Sequence, residues 1–388
     1  MKKAILTVNI GSSTIKFVLF SIVSLQPFYS GKVDISSEKL LIIIRDNQKN
    51  IVYQYSLLET ADHQQQMSAL TLILDWLNQQ KDNFEIQAVS HRIVHGGEKF
   101  SSAVLINKSV IDYLETLEPL APLHQPYNIA GIKNAITHFP GIPQIACFDS
   151  AFHLQQSAIA RSYAIPQHIS PVEIKKYGFH GLSYQYILQT LPPVVAMQKN
   201  IIAHLGSGAS LCATEKNKSV ATTMGFTPLD GLVMGTRCGS LDPGVVLYLI
   251  STGMSLEKLT EILYSKSGLL GVSGISSDMQ VLLKSAEAVA RDAVDLFVYR
   301  ATREICSLLG AIKGLENLVF TAGIGENAPI IRQKICDQLA WLNVKISPAE
   351  NAANATIISS AGSAIKVWVI PTDEEKIMVE QTLSLLKA

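Results

Sequence analysis

The sequence predicts an α/β protein made of two copies of one folding unit, and three observations carry that reading. Apolar strand-like runs alternate with helix-period segments along all 388 residues. The stretch Leu6-Thr7-Val8-Asn9-Ile10-Gly11-Ser12-Ser13-Thr14 returns in outline as Ile201-Ile202-Ala203-His204-Leu205-Gly206-Ser207-Gly208-Ala209-Ser210: apolar strand, polar residue, apolar residue, Gly-Ser, further strand. Val289, Ala293, Phe297, Ala301, Ile305 and Ile312 recur at helical spacing, and Leu318-Val319-Phe320 then gives a short buried strand ending in a glycine turn.

Taken in order, residues 5–8 and 17–20 read as strands around a polar turn. Residues 70–77 read as a helix feeding a strand at 88–90, residues 144–148 as an apolar strand, and residues 330–339 as a helix after the last glycine turn. The long 289–312 helix serves either the core or a subunit face, since its apolar side is broad; the core reading is the simpler. Short Gly-Ser turns also resemble one another by chance, so these segments alone leave duplication and coincidence both standing.

Composition removes several classes of function. No run of a dozen uninterrupted apolar residues occurs, so no membrane span is expected. Lys plus Arg and Asp plus Glu both number 32, which gives no basic excess for a nucleic acid. Anionic ligands must then be held by local arginines and backbone amides. The opening Met1-Lys2-Lys3-Ala4-Ile5-Leu6 imitates a signal peptide, but Asn9 and Gly11 interrupt the apolar run, and a mature N-terminus is expected. Five scattered cysteines with no Cys-x-x-Cys argue against a disulfide framework and a structural zinc, and for a cytoplasmic location.

Candidate chemistry lies in tight glycine and proline contexts. Gly11 lets the backbone approach a ligand, flanking hydroxyls such as Ser12 can donate to phosphate oxygens, and Lys16 adds a compact charge; an ordinary hairpin with a solvated lysine fits the same residues. Ser13-Thr14-Ile15-Lys16 matches Ser-x-x-Lys, but the companion Ser-Asp-Asn and Lys-Thr-Gly of the penicillin-binding enzymes are missing. There is no P-loop motif, so phosphate contacts fall to Gly11, the 206–208 turn and Gly323-Ile324-Gly325-Glu326-Asn327. His91-Arg92-Ile93-Val94-His95-Gly96-Gly97 and Met234-Gly235-Thr236-Arg237-Cys238-Gly239 each place an arginine beside glycine. Pro122-Leu123-His124-Gln125-Pro126 reads as a rigid loop, Asp149 ends the 144–148 strand, and Tyr177-Gly178-Phe179-His180-Gly181 sets a histidine between glycines.

The ordered set Asn-x-Gly-Ser-Ser-x-x-Lys, His-Arg-x-Val-His-Gly-Gly, Pro-Leu-His-Gln-Pro, Phe-Asp-Ser-Ala-Phe-His, Tyr-Gly-Phe-His-Gly, His-Leu-Gly-x-Gly, Gly-Thr-Arg-x-Gly and Phe-Thr-Ala-Gly-Ile-Gly-Glu-Asn resembles the acetate kinase family from residue 5 to about 376. The resemblance implies duplicated actin-like, ribonuclease-H-like ATPase domains with a cleft between them. Their expected extents are 1–149, completed by a C-terminal helix at 375–388, and 150–374 with the nucleotide site. It implies reversible transfer of the γ-phosphoryl of ATP to acetate, with propionate or another short carboxylate as the alternative acceptor. Mg2+, replaceable by Mn2+, is the implied cofactor, and a homodimer the implied assembly.

By the same resemblance, Asn9 and Arg92 contact the carboxylate and the transferred phosphoryl, Arg237 lies opposite, and His180 hydrogen-bonds the phosphoryl in flight. Asp149 acts in catalysis, and Asn9 and Glu374 are metal-side groups with it. Val94, Leu123, Phe179 and Pro228 wall the acyl pocket. Ser12, Lys16, His204, Leu205, Gly206, Ser207, Gly208, Asp278, Met279, Gln280 and the 323–327 turn (Gly323, Ile324, Gly325, Glu326, Asn327) take the nucleotide. The sequence departs from the family pattern at Thr14, Ser207, Ser240 and Gln280, where serine, asparagine, aspartate and arginine are usual; three of these lie on the nucleotide side. An actin-like assembly or regulatory protein without a small acceptor, or a kinase-like chain that has lost activity, are the competing readings.

Overall fold

The computed structural model describes residues 1–11, 14–34, 40–57, 63–166, 169–170 and 173–387. The chain forms two compact units, Met1–Phe152 with Asp373–Ala388, and His153–Thr372. Among the described residues no helix is long and apolar enough to cross a membrane.

In the first unit, β1 (Lys2–Ile10), β2 (Thr14–Ser21), β3 (Pro27–Asp34), β4 (Leu40–Asp46) and β5 (Ile51–Leu57) form an antiparallel meander. The strands β6 (Phe84–Ile93), β7 (Val104–Leu105) and β8 (Gln144–Phe148) extend the sheet on the other side of β1. Its order is β5-β4-β3-β2-β1-β6-β8-β7, with β1, β6 and β8 mutually parallel. Alternation along β1 sends Ala4, Leu6, Val8 and Ile10 into the core. They pack with Leu70, Ile73, Leu74 and Leu77 of helix α1 (His63–Gln79) and Ala135 of α2 (Gln125–His138). The 122–126 segment is therefore not wholly a loop. Gln125 and Pro126 start α2, proline occupying a position where a missing N–H costs no hydrogen bond.

The second unit repeats the plan with β9 (Asn200–Leu205), β10 (Ala209–Glu215), β11 (Lys218–Thr222), β12 (Asn317–Thr321) and β13 (Lys366–Val369), in the order β11-β10-β9-β12-β13. The pairs β9–β10 and β10–β11 are antiparallel, and β9–β12 and β12–β13 parallel. The run β3-β2-β1-β6-β8 has the same order and the same senses. The two Gly-Ser turns join topologically equivalent strands, so the likeness is one of fold and not of turn composition alone.

Helix α3 (Gly181–Thr190) lies between β8 and β9 in the chain, and α4 (Pro243–Ser251) follows β11. Helix α5 (Ala288–Ile312) packs on β10 and β11 through Ala290, Ala293, Val294, Phe297, Ala301, Ile305 and Ile312, all buried, which makes it a core helix. Two short helices, α6 (Ala322–Asn327) and α7 (Pro329–Gln338), follow β12. Residues 323–327 are thus helical, not an open glycine turn: Ala322 takes φ +64°, reversing the chain straight from the strand into the helix. The C-terminal helix α8 (Glu374–Lys387) returns to pack on β1, β6 and β8.

Candidate active site

The parallel strands β1, β6 and β8 end side by side and present Asn9, Arg92 and Asp149 from three neighbours. Arg92 Nε lies 3.2 and 3.1 Å from the two Asp149 oxygens, Nη1 donates to Asn9 Oδ1 at 3.0 Å, and Nε stands 3.5 Å from Glu374 Oε2. Asn9 Nδ2 reaches Glu375 Oε1 at 3.5 Å. Burial works against the Arg92 charge, but Asp149 and Glu374 outweigh it and raise the guanidinium pKa. Asp373 moves the other way for a carboxylate, pushed up by burial and by its neighbours Glu375 and Glu374. The cluster is therefore richer in carboxylates than in cations.

Among the described residues no group of three or more His, Cys, Asp or Glu side chains is placed to enclose a metal. The donors present are the carboxylates of Asp149 and Glu374 and the amide oxygen of Asn9. That chemistry fits Mg2+, which takes one or two protein carboxylates and fills its shell with water and phosphate oxygens. Val94 follows β6 and is buried; its N–H donates to Asn128 Oδ1 at 3.0 Å, and Asn128 Nδ2 donates to Ile10 O at 2.9 Å. Leu123 is half-buried in the turn before α2. Lys16 pairs with Asn9 across the β1–β2 register, with its side chain exposed. Ser12 lies outside the described residues.

In the second unit the tight 206–208 turn, closed by Gly206 N–H donating to Gly208 O at 3.2 Å, is the focus. A methyl group placed on Gly208 would stand 3.5 Å from His180 Nε2 and 3.7 Å from Arg237 Nη1, so both side chains converge on that residue. One placed on Gly206 would lie 3.6 Å from Ala322 Cβ, which brings the start of α6 to the same turn. Gly235 N–H donates to Ser207 O at 2.9 Å, and a methyl group there would meet Ser207 Oγ and Ser277 O at 3.2 Å. That sets the segment before Asp278 alongside. Asp278 caps the helix Met279–Lys284 by accepting from Gln280 N–H at 2.8 Å; Met279 is buried and Gln280 exposed.

His180 sits at φ +59° just before α3, and its ring stacks on His204 with centroids 4.1 Å apart. Arg237 Nη1 donates to Pro228 O at 2.9 Å, so the residue expected to wall the acyl pocket also steers the arginine. Phe179 is buried, and its carbonyl accepts from His153 Nε2 at 2.9 Å. Burial holds His153 neutral, with a pKa lowered to about 4. The expected residues thus fall into two sets. Asn9, Arg92, Asp149, Glu374, Val94, Leu123 and Lys16 belong to the first unit. His180, His204, Leu205, the 206–208 turn, Pro228, Phe179, Arg237, the 278–280 segment and α6 belong to the second.

The model of the acetokinase family matches residues 4–380. The chain belongs to that family. It is 46% identical to an acetate kinase of Nitrobacter hamburgensis, over 99% of this chain and 96% of that protein. Among solved structures, a propionate kinase of Francisella tularensis is 35% identical with a TM-score of 0.89, covering 98% of both chains. An acetate kinase of Porphyromonas gingivalis is 32% identical with a TM-score of 0.85, over 99% of this chain and 100% of that one. The acetokinase fold is the duplicated actin-like ATPase fold, in keeping with the repeated strand order.

Sequence reasoning passed over two groups in this acetokinase-family site. Glu375 joins Asn9 but was hidden by the acidic run around Glu374. Arg332, fully buried, spends all five N–H donors on neutral oxygens. Nη1 donates to Gly325 O and Glu326 O, both at 2.8 Å, Nε to Asn351 Oδ1 at 2.8 Å, and Nη2 to Asn351 O at 2.7 Å and Asn354 Oδ1 at 2.6 Å. The guanidinium therefore ties the end of α6 to the 351–354 segment. A single arginine within Pro-Ile-Ile-Arg was the available signal. The departure at Ser240 has a local account: its hydroxyl donates to Asp230 Oδ1 at 2.9 Å, where an aspartate would set a second carboxylate against the first.

Proposed function

We propose that this chain moves the γ-phosphoryl of ATP to acetate, reversibly and by direct in-line transfer. The observation that carries the reading is the convergence of His180 Nε2 and Arg237 Nη1 on Gly208 in a tight glycine turn, in a chain 46% identical to an acetate kinase. Acetate is already ionised at neutral pH, so the acceptor needs no general base. The barrier lies in bringing one anion to another and in the charge on the equatorial oxygens, which fixed donors relieve.

In this scheme Arg92 and Asn9 serve the carboxylate and the transferred group from the first unit. Arg237 and His180 serve the phosphoryl from the second. Backbone of the 206–208 turn, with His204, Leu205 and Ser207, and of α6 takes the phosphates and ribose, and the 278–280 segment takes the adenosine side. Mg2+, or Mn2+ in its place, would neutralise phosphate charge when bound, held by Asp149 and Glu374 with Asn9. Val94, Leu123, Phe179 and Pro228 bound the acyl group. By resemblance Val94 is the residue that narrows the acyl pocket, and one methylene is worth about 1–3 kcal/mol of discrimination, so propionate is the slower substrate in this proposal.

A cytoplasmic homodimer is part of the same proposal. Helix α5 is used up in the core, whereas α4 buries none of its nine residues, though Val245, Leu247, Tyr248 and Ile250 are apolar or aromatic. A helix apolar on every side asks for a cover, and a second copy supplies it. The test is ATP-dependent acetyl hydroxamate formation with hydroxylamine, followed by kcat/KM for acetate, propionate and butyrate. No hydroxamate from a chain that binds ATP points to the assembly or regulatory reading, and a propionate value above that for acetate moves the assignment to propionate.

A further inference from the structure

We infer that Ser210 and Tyr184 are positioning residues that hold His180 as a neutral imidazole with its Nε2–H directed at the 206–208 turn. His180 Nδ1 lies 2.8 Å from Ser210 Oγ, and Ser210 Oγ is in turn hydrogen-bonded to the Tyr184 hydroxyl. Ser210 and Tyr184 are both fully buried. Two elements, α3 and β10, build the chain. His180 precedes α3, Tyr184 is its first-turn partner, with N–H donating to His180 O at 3.1 Å, and Ser210 stands on β10 opposite His204 on β9.

The adjacent α3 residue does the same for the stacked ring. Ser183 Oγ lies 2.8 Å from His204 Nδ1 and 2.9 Å from Thr372 Oγ1. Consecutive residues of one helix thus anchor two parallel imidazoles at their Nδ1 atoms, directly or through one hydroxyl. Titratable and charged groups that face His180 include His204 on β9, Arg237 and Tyr184 on α3. A phosphoryl oxygen facing Nε2 calls for the ring proton on Nε2, and the chain supplies it when Tyr184 donates to Ser210 and Ser210 to Nδ1, one of the two directions open to a pair of hydroxyls.

This inference rests on the reading of His180 as the group facing the transferred phosphoryl. The test combines Ser210→Ala, Ser210→Thr and Tyr184→Phe with 15N-histidine NMR, the His180 signals being assigned by their loss in His180→Gln. Ser210→Ala is expected to lower kcat about 10–100-fold with both KM values within about twofold, and Ser210→Thr to recover most of it. Wild-type His180 should show the Nε2–H tautomer, and Ser210→Ala a mixture. An unchanged kcat and spectrum in Ser210→Ala overturns the relay, as does a fall in thermal stability with raised KM at unchanged kcat. NMR needs no turnover. An Nε2–H tautomer that depends on Ser210, in a chain that makes no acyl phosphate, supports the relay and removes the kinase reading instead.

Discussion

Arg92 and Asp149 meet side by side, the arginine Nε shared between both carboxylate oxygens while Nη1 is held by Asn9. The guanidinium is thereby fixed in plane, an arrangement that a lysine cannot copy because its ammonium is a single point of charge. Arg92→Ala is expected to lower kcat/KM in the hydroxamate assay by about a thousandfold or more, and Arg92→Lys to recover little. Near-normal turnover in Arg92→Ala would remove Arg92 from the transfer step.

Gly208 offers a sharper probe. An added methyl group makes only ordinary contacts with His180 Nε2 and Arg237 Nη1, so Gly208→Ala should fold with an unchanged melting temperature. The methyl nevertheless occupies the point on which both donors converge. The expected result is a kcat loss of about 10–100-fold, with acetate KM little altered. Wild-type kcat would show that no reacting oxygen approaches Gly208.

What the sequence disclosed follows from where its signals are local. Gln144–Phe148 is apolar from Ile145 on and is followed by Asp149, and the structure makes it a fully buried strand of those bounds, parallel to β6. The 289–312 periodicity gave α5 because every third or fourth side chain points into one core. Strands β3 and β5 mix polar and apolar residues along their length and give no clear signal, whereas Leu40–Ile44 of β4 is an apolar run that the reading of the sequence leaves out. Helix α6 reads as a turn in sequence because glycine at Gly323 and Gly325 masks helical backbone that Arg332 secures from outside the segment. Contacts between distant residues, such as Ser210 with His180, leave no trace in spacing.

Acid should loosen the fold through three histidines. His91, whose Nε2–H donates to Gln144 Oε1 at 2.8 Å, His95 and His153 are buried, and burial lowers each pKa from 6.5 to about 4. Between those values the unfolded chain binds protons that the folded chain refuses. Their contribution is complete above about pH 6.5 and is lost as pH falls toward 4, on the order of 3 kcal/mol for each fully shifted group. Urea midpoints should fall from pH 7 to pH 5, and His91→Gln should flatten that slope. An unchanged slope in His91→Gln would mean that this ring titrates normally.

The exposed apolar helix makes a separate prediction about assembly. Leu247 and Tyr248 are 67% and 66% exposed on α4. If a second copy covers them, Leu247→Glu sets a charge into that contact and should yield a monomer by light scattering. An unaltered dimer, or a wild-type monomer, would leave α4 to another use.

On the proposed role of α6, Arg332 joins stability to nucleotide binding. Its five acceptors are all neutral, and burial pulls its pKa down. Arg332→Met removes every donor at once, leaving main-chain carbonyls of α6 unmet, at a cost of about 3–5 kcal/mol by the usual penalty for stranded buried polar groups. Freed carbonyls also loosen Gly325 and Glu326, so ATP KM should rise several-fold even in the milder Arg332→Lys, while acetate KM holds. Asn354→Ala, which takes away one acceptor and leaves the guanidinium in place, should cost about 1 kcal/mol and spare ATP KM. Equal effects of Arg332→Lys on both KM values would show that the arginine supports the second unit as a whole and not α6 in particular.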